Sequence, residues 1–411
     1  MHWPKLSKED ITTKVFDALH DNLNYSTESI LGLPGTYLDK EQFYDSPFIK
    51  EAAFLSVMMN NPNHIGCHTH SEGEMYFAGT QKIEIELLRI CAEEILGAQK
   101  GDFDGYVAPG GTEANIQAQW MYRNYFVAHY NANTSEIGVV FSEDAHYSVY
   151  KGANLLNIKP ITVKVNHNDR AVDLKDLESQ LAKAKENGIK YLIIHLSMGT
   201  TIFGSVDEPK SFLEVVKNHF QHYFVHVDAA FGGFIYPFSV EENELSFLNP
   251  EISSVTIDAH KMLQAPYGTG IFLCRKGLIE NVQTPEAAYV YGSDFTLCGS
   301  RSGANAVSIW MILMTYGSEG WKQEIQHLLN RTSYICEELN ALNVKYFRNP
   351  AMNIVTIEAE YLSKDLVKKY FLVADNYQNP KWYKIVVMDH VKNNLIENFL
   401  HDFKEYRKVL N

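Results

Sequence analysis

Two residues of opposite charge, Asp228 and Lys261, each follow a short apolar stretch in the most informative part of the sequence. The first stretch reads FVHVDAAFGG (residues 224–233), and the second reads SVTIDAHKM (residues 254–262). We expect both stretches to be buried strands that end near these residues. A pyridoxal phosphate (PLP) site requires a carboxylate that keeps a pyridine nitrogen protonated and a lysine that forms a Schiff base with an aldehyde. The pair therefore predicts such a site.

A glycine-rich turn lies upstream, in YVAPGGTEANIQAQ (residues 106–119). A short strand is predicted to end there, and a helix follows directly from Gly110, Gly111 and Thr112. Backbone amides, a hydroxyl group and the positive end of the helix would meet at this turn, which suits a phosphate monoester. Such a turn also occurs as a tight connection without a ligand. Its position before Asp228 and Lys261 favours the phosphate interpretation.

These motifs and their order resemble the group II PLP-dependent amino acid decarboxylases. That family includes small archaeal tyrosine/aspartate decarboxylases, bacterial histidine and serine decarboxylases, and glutamate and aromatic amino acid decarboxylases. The matching segments are HVDAAFGG, DAHKM, FAGTQKIEIELL, DAHYSVYK and GSRSG. The resemblance implies a fold-type I enzyme that binds PLP, with Lys261 in the Schiff base and Asp228 beside the pyridinium. It also implies that the enzyme releases CO2 and a primary amine from an L-amino acid.

The resemblance implies roles for further residues. His146, in DAHYSVYK, would stack on the pyridine ring and reach the substrate carboxylate, whereas its simpler role would be to cap the helix that starts near Ser148. Tyr289 or Tyr291 would return a proton to the substrate carbon. The remaining implied contacts are Thr201, Ala230 and His260 to the cofactor, Ser300 to the phosphate bound by the partner subunit, and His64, His68 and Arg301 to the substrate.

Simpler explanations exist for several of these residues. Thr201 could be a turn threonine that bonds to its own backbone, and Arg301 could be a surface arginine at a helix start. His64, His68 and His70 lie close together, but no companion motif such as HExxH accompanies them, and we predict no metal site.

Three other functions remain open beside decarboxylation. An aldehyde-lyase that cleaves Cα–Cβ and an aminotransferase use the same scaffold, and a non-catalytic PLP-binding protein is a third alternative. The substrate also remains open, because the histidines at 64, 68 and 70 would favour a second carboxylate, whereas Tyr76 and Phe77 would favour an aromatic ring.

The alternation of apolar strands with helices predicts an α/β fold with a mainly parallel sheet in a large domain. We expect an N-terminal arm over residues 1–60, a large PLP-binding domain over 61–290 and a small C-terminal α+β domain over 291–411. The resemblance implies that the strand at 267–276 is antiparallel. Separate helices are expected at 80–99, 304–316 and 323–342. Family resemblance implies a homodimer with active sites at the interface.

Composition excludes several classes of protein. The 411 residues carry a net charge of −14, which argues against a nucleic-acid or anionic-membrane surface. The five cysteines include no CxxC pair, so a reducing compartment is expected. The N-terminus lacks the apolar region of a secretory signal, and no apolar run is long enough to span a membrane. We expect a cytoplasmic enzyme whose substrate is a small molecule, an amino acid.

Overall fold

The computed structural model describes residues 9, 29–32, 63–64, 78–286 and 292–410. In chain order the strands are β1 (Asn63–His64), β2 (Asp104–Ala108), β3 (Ile137–Ser142), β4 (Lys159–Val163), β5 (Tyr191–Ser197), β6 (His222–Ala229), β7 (Ile252–Asp258), β8 (Gly270–Cys274), β9 (Arg301–Ser302), β10 (Tyr346–Phe347), β11 (Ile354–Glu358), β12 (Val373–Ala374) and β13 (Trp382–Val386). The α-helices are α1 (Ala78–Arg89), α2 (Gly111–Tyr130), α3 (Ser148–Leu156), α4 (Leu174–Glu186), α5 (Pro209–His219), α6 (Tyr236–Ser239), α7 (Gly303–Ala341), α8 (Lys364–Lys369) and α9 (Asn393–Leu410).

Seven strands form the main sheet in the order β2-β8-β7-β6-β5-β3-β4. Strands β3 to β7 run parallel, and β8 is antiparallel to both of its neighbours. The predicted mainly parallel sheet and the antiparallel strand after Lys261 are therefore confirmed. The parallel strands are largely buried on both faces because helices cover both sides of the sheet. Their carboxyl ends meet at one edge, where ligands bind such sheets.

The two faces of the sheet have different helical covers. Helices α2 and α3 pack on one face through side chains such as Met121, Phe126 and Val149. Helices α4 and α5 pack on the other face through side chains such as Leu177 and Phe212, together with α1 and the first part of α7. The side chains of β6 alternate between the two faces of the sheet. Val225, Val227 and Ala229 pack in the core beneath α4 and α5, whereas His226 and Asp228 point to the face covered by α2.

The C-terminal region contains a four-stranded antiparallel sheet in the order β10-β11-β13-β12, covered by α9. Residues 29–32 of the predicted arm join it, since the Leu31 backbone bonds to Tyr370 and Val386. We expected the small domain to begin at residue 291, but α7 belongs to both cores. Its side chains up to Leu329 pack in the main core, and those from Ile335 pack in the C-terminal one.

Of three predicted helices, the one at 80–99 differs from the structure, and the other two lie closer together than expected. The segment 80–99 forms α1 and then a π-helical turn, Ile90–Ile95, before Gly97 adopts a positive φ of 70°. The two helices expected at 304–316 and 323–342 are both present, and they meet at a kink at Gly317 (φ 62°, ψ 176°) within α7. Glycine tolerates this non-helical conformation, so the second helix follows the first directly. Within the described ranges, no helix has both the length and the apolar character needed to cross a membrane.

Candidate active site

The carboxyl ends of β2, β3, β6 and β7 surround a cavity of about 480 Å³. Sequence motifs that are up to 150 residues apart therefore meet at one edge of the sheet. The residues that line this cavity are Pro109, Gly110, Gly111, Thr112, Glu113, Asn115, Ile116, His146, Tyr147, Asp228, Ala230, Asp258, His260, Lys261 and Leu297. The structure thus brings together the predicted glycine turn, His146, Asp228, Ala230, His260 and Lys261.

The glycine turn leads directly into α2, whose first residue is Gly111. A side chain at Gly111 would meet the Asp258 carboxyl oxygen at 2.7 Å, and one at Gly270 would meet the Gly110 backbone at 2.7 Å. Glycine at these positions keeps the start of α2 open and lets neighbouring backbones approach closely. A bare helix N-terminus of this kind suits a phosphate group.

The Asp228 carboxylate is held by donors from three elements. Its Oδ2 accepts a hydrogen bond from Asn115 Nδ2 (2.8 Å), and its Oδ1 accepts one from the Ala230 N–H (3.0 Å). His195 Nε2 lies 3.6 Å from Oδ2. Although burial opposes the charge, the His195 contact, Lys261 and the Ala230 N–H together lower the pKa of Asp228 below its usual range. The group is therefore an anion at neutral pH, as a partner for a pyridinium must be.

Lys261 has an acidic partner that the sequence interpretation did not assign. Its Nζ lies 3.2 Å from Asp258 Oδ2, and His260 Nε2 lies 3.7 Å from the same oxygen. Asp258 is the last residue of β7 and is buried. The strand end therefore fixes the lysine close to the glycine turn. The four-residue motif DAHK contained this signal, because an acid three residues before a lysine can reach it within one turn.

His146 lies half-buried between the cavity and α3. Its Nδ1 is 2.9 Å from Ser148 Oγ and accepts a longer hydrogen bond (3.3 Å) from the Ser148 N–H. Burial lowers the pKa of His146. The two roles considered for this residue are therefore compatible, since it bonds to the start of α3 and also lines the cavity.

A second, narrower cavity adjoins the first and shares His146, Asp228, Ala230 and Lys261 with it. Thr201 lines this second cavity, as the prediction of a cofactor contact requires. The Thr201 carbonyl accepts a hydrogen bond of 2.8 Å from Lys384 Nζ.

Lys384, which sequence reasoning missed, is a buried cation from the C-terminal sheet. It is only 3% exposed, and burial together with the charge of Lys261 lowers its pKa to about 8. The sequence signal for this residue is a lysine within the otherwise apolar strand WYKIV. Buried cations without a paired anion are rare, and those that lie near a cavity often have a functional role.

Arg301 does not face the cavity as expected for a substrate contact. Its guanidinium is buried against Glu84, donates to the Val107 carbonyl (3.1 Å) and lies over the Tyr106 ring. The expectation of a surface arginine is equally wrong. The ion pair joins β9 to α1, so the structure gives Arg301 a packing role within this chain.

The remaining predicted contacts lie at or beyond the edge of the described structure. Ser300 is exposed and does not line either cavity. His68, Tyr289 and Tyr291 lie outside the described residues, so their roles stay predictions. The backbone of His64 pairs with Arg301 in the β1–β9 ladder, and its side chain lies outside the description. In the described ranges no cluster of three or more potential metal ligands occurs.

Comparisons with known proteins agree with this geometry. Residues 81–356 match the family described as the pyridoxal-dependent decarboxylase conserved domain. The chain is 47% identical to tryptophan decarboxylase from Clostridium sporogenes, over 99% of this chain and 98% of that protein. It is 29% identical to L-aspartate decarboxylase from Thermococcus kodakarensis, over 98% of each.

Solved structures show the same fold at low sequence identity. L-methionine decarboxylase from Streptomyces sp. 590 superposes with a TM-score of 0.79 at 19% identity, covering 98% of this chain and 97% of that one. Sphingosine-1-phosphate lyase from Burkholderia pseudomallei superposes with a TM-score of 0.80 at 17% identity, covering 99% and 92%. The open helix start, the anionic Asp228 and the nearby Lys261 fit a bound PLP. The chain belongs to the pyridoxal-dependent decarboxylases, and it is a PLP-dependent amino acid decarboxylase.

Proposed function

We propose that this enzyme removes the α-carboxyl group of an aromatic L-amino acid, with tryptophan as its preferred substrate. The observation that carries the proposal is the 47% identity, over nearly the whole chain, to a tryptophan decarboxylase. Identity to the L-aspartate decarboxylase is only 29%. Two exposed side chains on the cavity wall, Tyr147 (61% exposed) and Leu297 (43% exposed), offer apolar surface to an aromatic ring.

The residues of this chain divide the work of binding and orientation. When bound, PLP supplies a ring that accepts the electron pair released as the bond to the carboxyl group breaks. Asp228 would keep the proton on the pyridine nitrogen, and the Lys261 amine would tether the cofactor through its aldehyde. Gly110, Gly111 and Thr112 bind the phosphate, and His146 lies against the ring. Thr201, Ala230 and His260 complete the proposed contacts to the cofactor.

Decarboxylation requires the carboxyl group to stand perpendicular to the ring, in a site that does not solvate it well. An aminotransferase instead clamps this group with an arginine. Among the described residues that line the two cavities there is no arginine, which favours decarboxylation. Apart from Lys261, a cation close to the second cavity is Lys384, whose Nζ bonds to the carbonyl of the lining residue Thr201. A lysine binds a carboxylate through one point charge rather than a planar fork. We propose that Lys384 attracts the substrate carboxylate without holding it in a fixed plane.

After CO2 leaves, the substrate carbon must receive a proton. We assign this step to the hydroxyl of Tyr289 or Tyr291, and substrate contacts to His64 and His68. We further propose a cytoplasmic homodimer in which Ser300 reaches the phosphate bound by the partner subunit. Exposed Tyr147, Tyr267 and Leu297 around the cavity support a covering subunit. The four described cysteines form no disulfide with one another, which supports a reducing compartment.

A product screen tests the proposal. The PLP-loaded enzyme is incubated with tryptophan, tyrosine, phenylalanine, methionine, aspartate and glutamate, and products are identified by mass spectrometry. We expect CO2 and tryptamine, with the highest kcat/KM for tryptophan. A preference for aspartate or glutamate would overturn the substrate assignment. An aldehyde or a keto acid as the main product would identify an aldehyde-lyase or an aminotransferase instead.

A further inference from the structure

The amide of Asn115 joins three buried side chains on the face of the sheet covered by α2. Its Nδ2 donates to Asp228 Oδ2 (2.8 Å) and to Ser148 Oγ (2.9 Å), and its Oδ1 lies 2.9 Å from His226 Nε2. Asn115 is 1% exposed, so these bonds account for its amide. An anionic Asp228 can only accept hydrogen bonds, which places the NH2 group toward the carboxylate and the oxygen toward His226.

The orientation of this amide determines the proton positions on His226. Because Asn115 Oδ1 is only an acceptor, His226 Nε2 must carry a proton. Burial and the neighbouring His195 lower the pKa of His226 well below its ordinary value, so the ring is neutral and its Nδ1 is an acceptor. Ser254 Oγ, 2.7 Å away, then donates to Nδ1 and accepts from the Tyr122 hydroxyl at 2.5 Å. Each group from Tyr122 through Ser254, His226 and Asn115 therefore donates a hydrogen bond to the next, and the series ends at Asp228.

The same amide determines the protonation of His146. Ser148 Oγ accepts from Asn115 Nδ2, which leaves its own proton for His146 Nδ1 at 2.9 Å. The Ser148 N–H donates to the same nitrogen. His146 Nδ1 is therefore an acceptor, and the ring carries its proton on Nε2. Since Nδ1 is engaged by Ser148, Nε2 is the nitrogen that remains for the cavity.

We propose that Asn115 is a positioning residue that fixes the Asp228 carboxylate and, through the direction of its amide, holds His226 and His146 as neutral imidazoles protonated on Nε2. His146 then presents a hydrogen-bond donor to the active site, and it cannot remove a proton there. The relevance to turnover depends on the proposed function, because it assumes that Asp228 and His146 both contact the cofactor. The proton arrangement does not depend on the substrate.

Side-chain NMR of the PLP-loaded enzyme, labelled with 13C and 15N in histidine, tests the proton arrangement directly. Signals are assigned by comparison with the His146→Gln and His226→Gln proteins. We expect both rings to be neutral and protonated on Nε2 at pH 7. A doubly protonated ring, or a proton on Nδ1 of either, would overturn the proposal. This measurement needs no variant at position 115, so it decides the matter even if such variants fail to fold.

The Asn115→Asp variant separates the two arms of the amide. A carboxyl group there still accepts from His226, so His226 should keep its proton on Nε2. The new carboxyl group would share a proton with Asp228 and would have no proton to donate to Ser148. The Ser148 hydroxyl would then donate to this carboxyl group. His146 Nδ1 would then keep only the longer bond from the Ser148 N–H, so the fraction of the ring protonated on Nδ1 should rise. If both histidines stay unchanged, Asn115 does not direct them and the proposal fails.

Asn115→Leu and Gln119→Leu form a matched pair for turnover. Gln119 is also a buried amide on α2, one turn further along, and bonds to the Val149 carbonyl (3.4 Å) outside this network. We expect Asn115→Leu to lower kcat by about tenfold or more and to weaken PLP binding, because Asp228 Oδ2 loses its hydrogen bond from Asn115 and keeps only the longer contact to His195. Gln119→Leu should stay within about twofold of the parent. Equal losses would indicate a merely structural role. Correct histidine signals without amine formation would refute the proposed substrate but not this inference.

Discussion

The Nζ of Lys261 lies 3.2 Å from Asp258 Oδ2, within the turn that follows β7. Asp228, the other acid of the site, ends the neighbouring strand and is held by Asn115 and Ala230. The lysine and the carboxylate proposed for the pyridine nitrogen are thus anchored separately. Each can be changed while the support of the other is kept, which makes their roles distinguishable by experiment.

Lys261→Arg tests the covalent role of the lysine. Arginine keeps the positive charge beside Asp258 but does not form the covalent bond to an aldehyde, so the protein should remain folded and lose nearly all activity. Borohydride treatment of the parent should attach the cofactor to the peptide that contains residue 261. Lys276→Arg, at an exposed position, is the control and should behave as the parent. Covalent attachment in the Lys261→Arg protein would contradict the assignment.

Lys384→Met should raise stability at neutral pH. The pKa of Lys384, about 8, lies below its unfolded value of roughly 10.4, so burial of the ammonium destabilises the fold below about pH 8. The variant should gain on the order of 3 kcal/mol in the free energy of unfolding at pH 7. This gain should shrink as pH rises from about 8 to 10.4, where the parent lysine becomes neutral in both states.

Denaturant unfolding across this pH range measures the Lys384 effect. Lys381 is exposed and directly precedes β13, so Lys381→Met should leave the free energy of unfolding nearly unaltered. The Lys384→Met protein should also show a raised KM for the amino acid if the cation attracts its carboxylate. A loss of stability at pH 7 would contradict the electrostatic argument.

Arg301→Met should destabilise the protein through the buried ion pair. It leaves the Glu84 carboxylate buried without its cation, which typically costs about 3–5 kcal/mol. A double variant with Glu84→Gln should recover part of that loss, because the unpaired charge is gone. Thermal unfolding of the three proteins provides the comparison. A raised KM with unchanged stability would instead restore the substrate-binding role first expected for Arg301.

Tyr289→Phe and Tyr291→Phe test the return of a proton to the substrate carbon. In the variant that lacks the proton donor, amine formation should slow and part of the product should shift to aldehyde. Product ratios from mass spectrometry and single-turnover rates separate the two positions. Unchanged kinetics in both variants would dismiss a tyrosine at either position as the donor.

The features that the sequence determined are local ones. Apolar runs that stop at Asp228 and after Ile257, the glycine turn at Gly110, and alternating strands and helices all lie within short windows. Burial of a parallel sheet on both faces imposes such patterns on each segment by itself. They were enough to predict the parallel sheet and the edge at which the site lies, whereas the antiparallel strand was expected only from the family resemblance.

Only the tertiary structure decided which side chains support that site. Asn115 is a polar residue within a helix, Lys384 comes from another sheet, and Arg301 pairs with Glu84, 217 positions away. The neighbouring sequence does not indicate which partners these residues have. Their partners follow from how α2, β13 and α1 pack against the sheet, and that packing depends on the whole chain. A polar group buried by such packing requires a partner, and the position of that partner is a property of the fold.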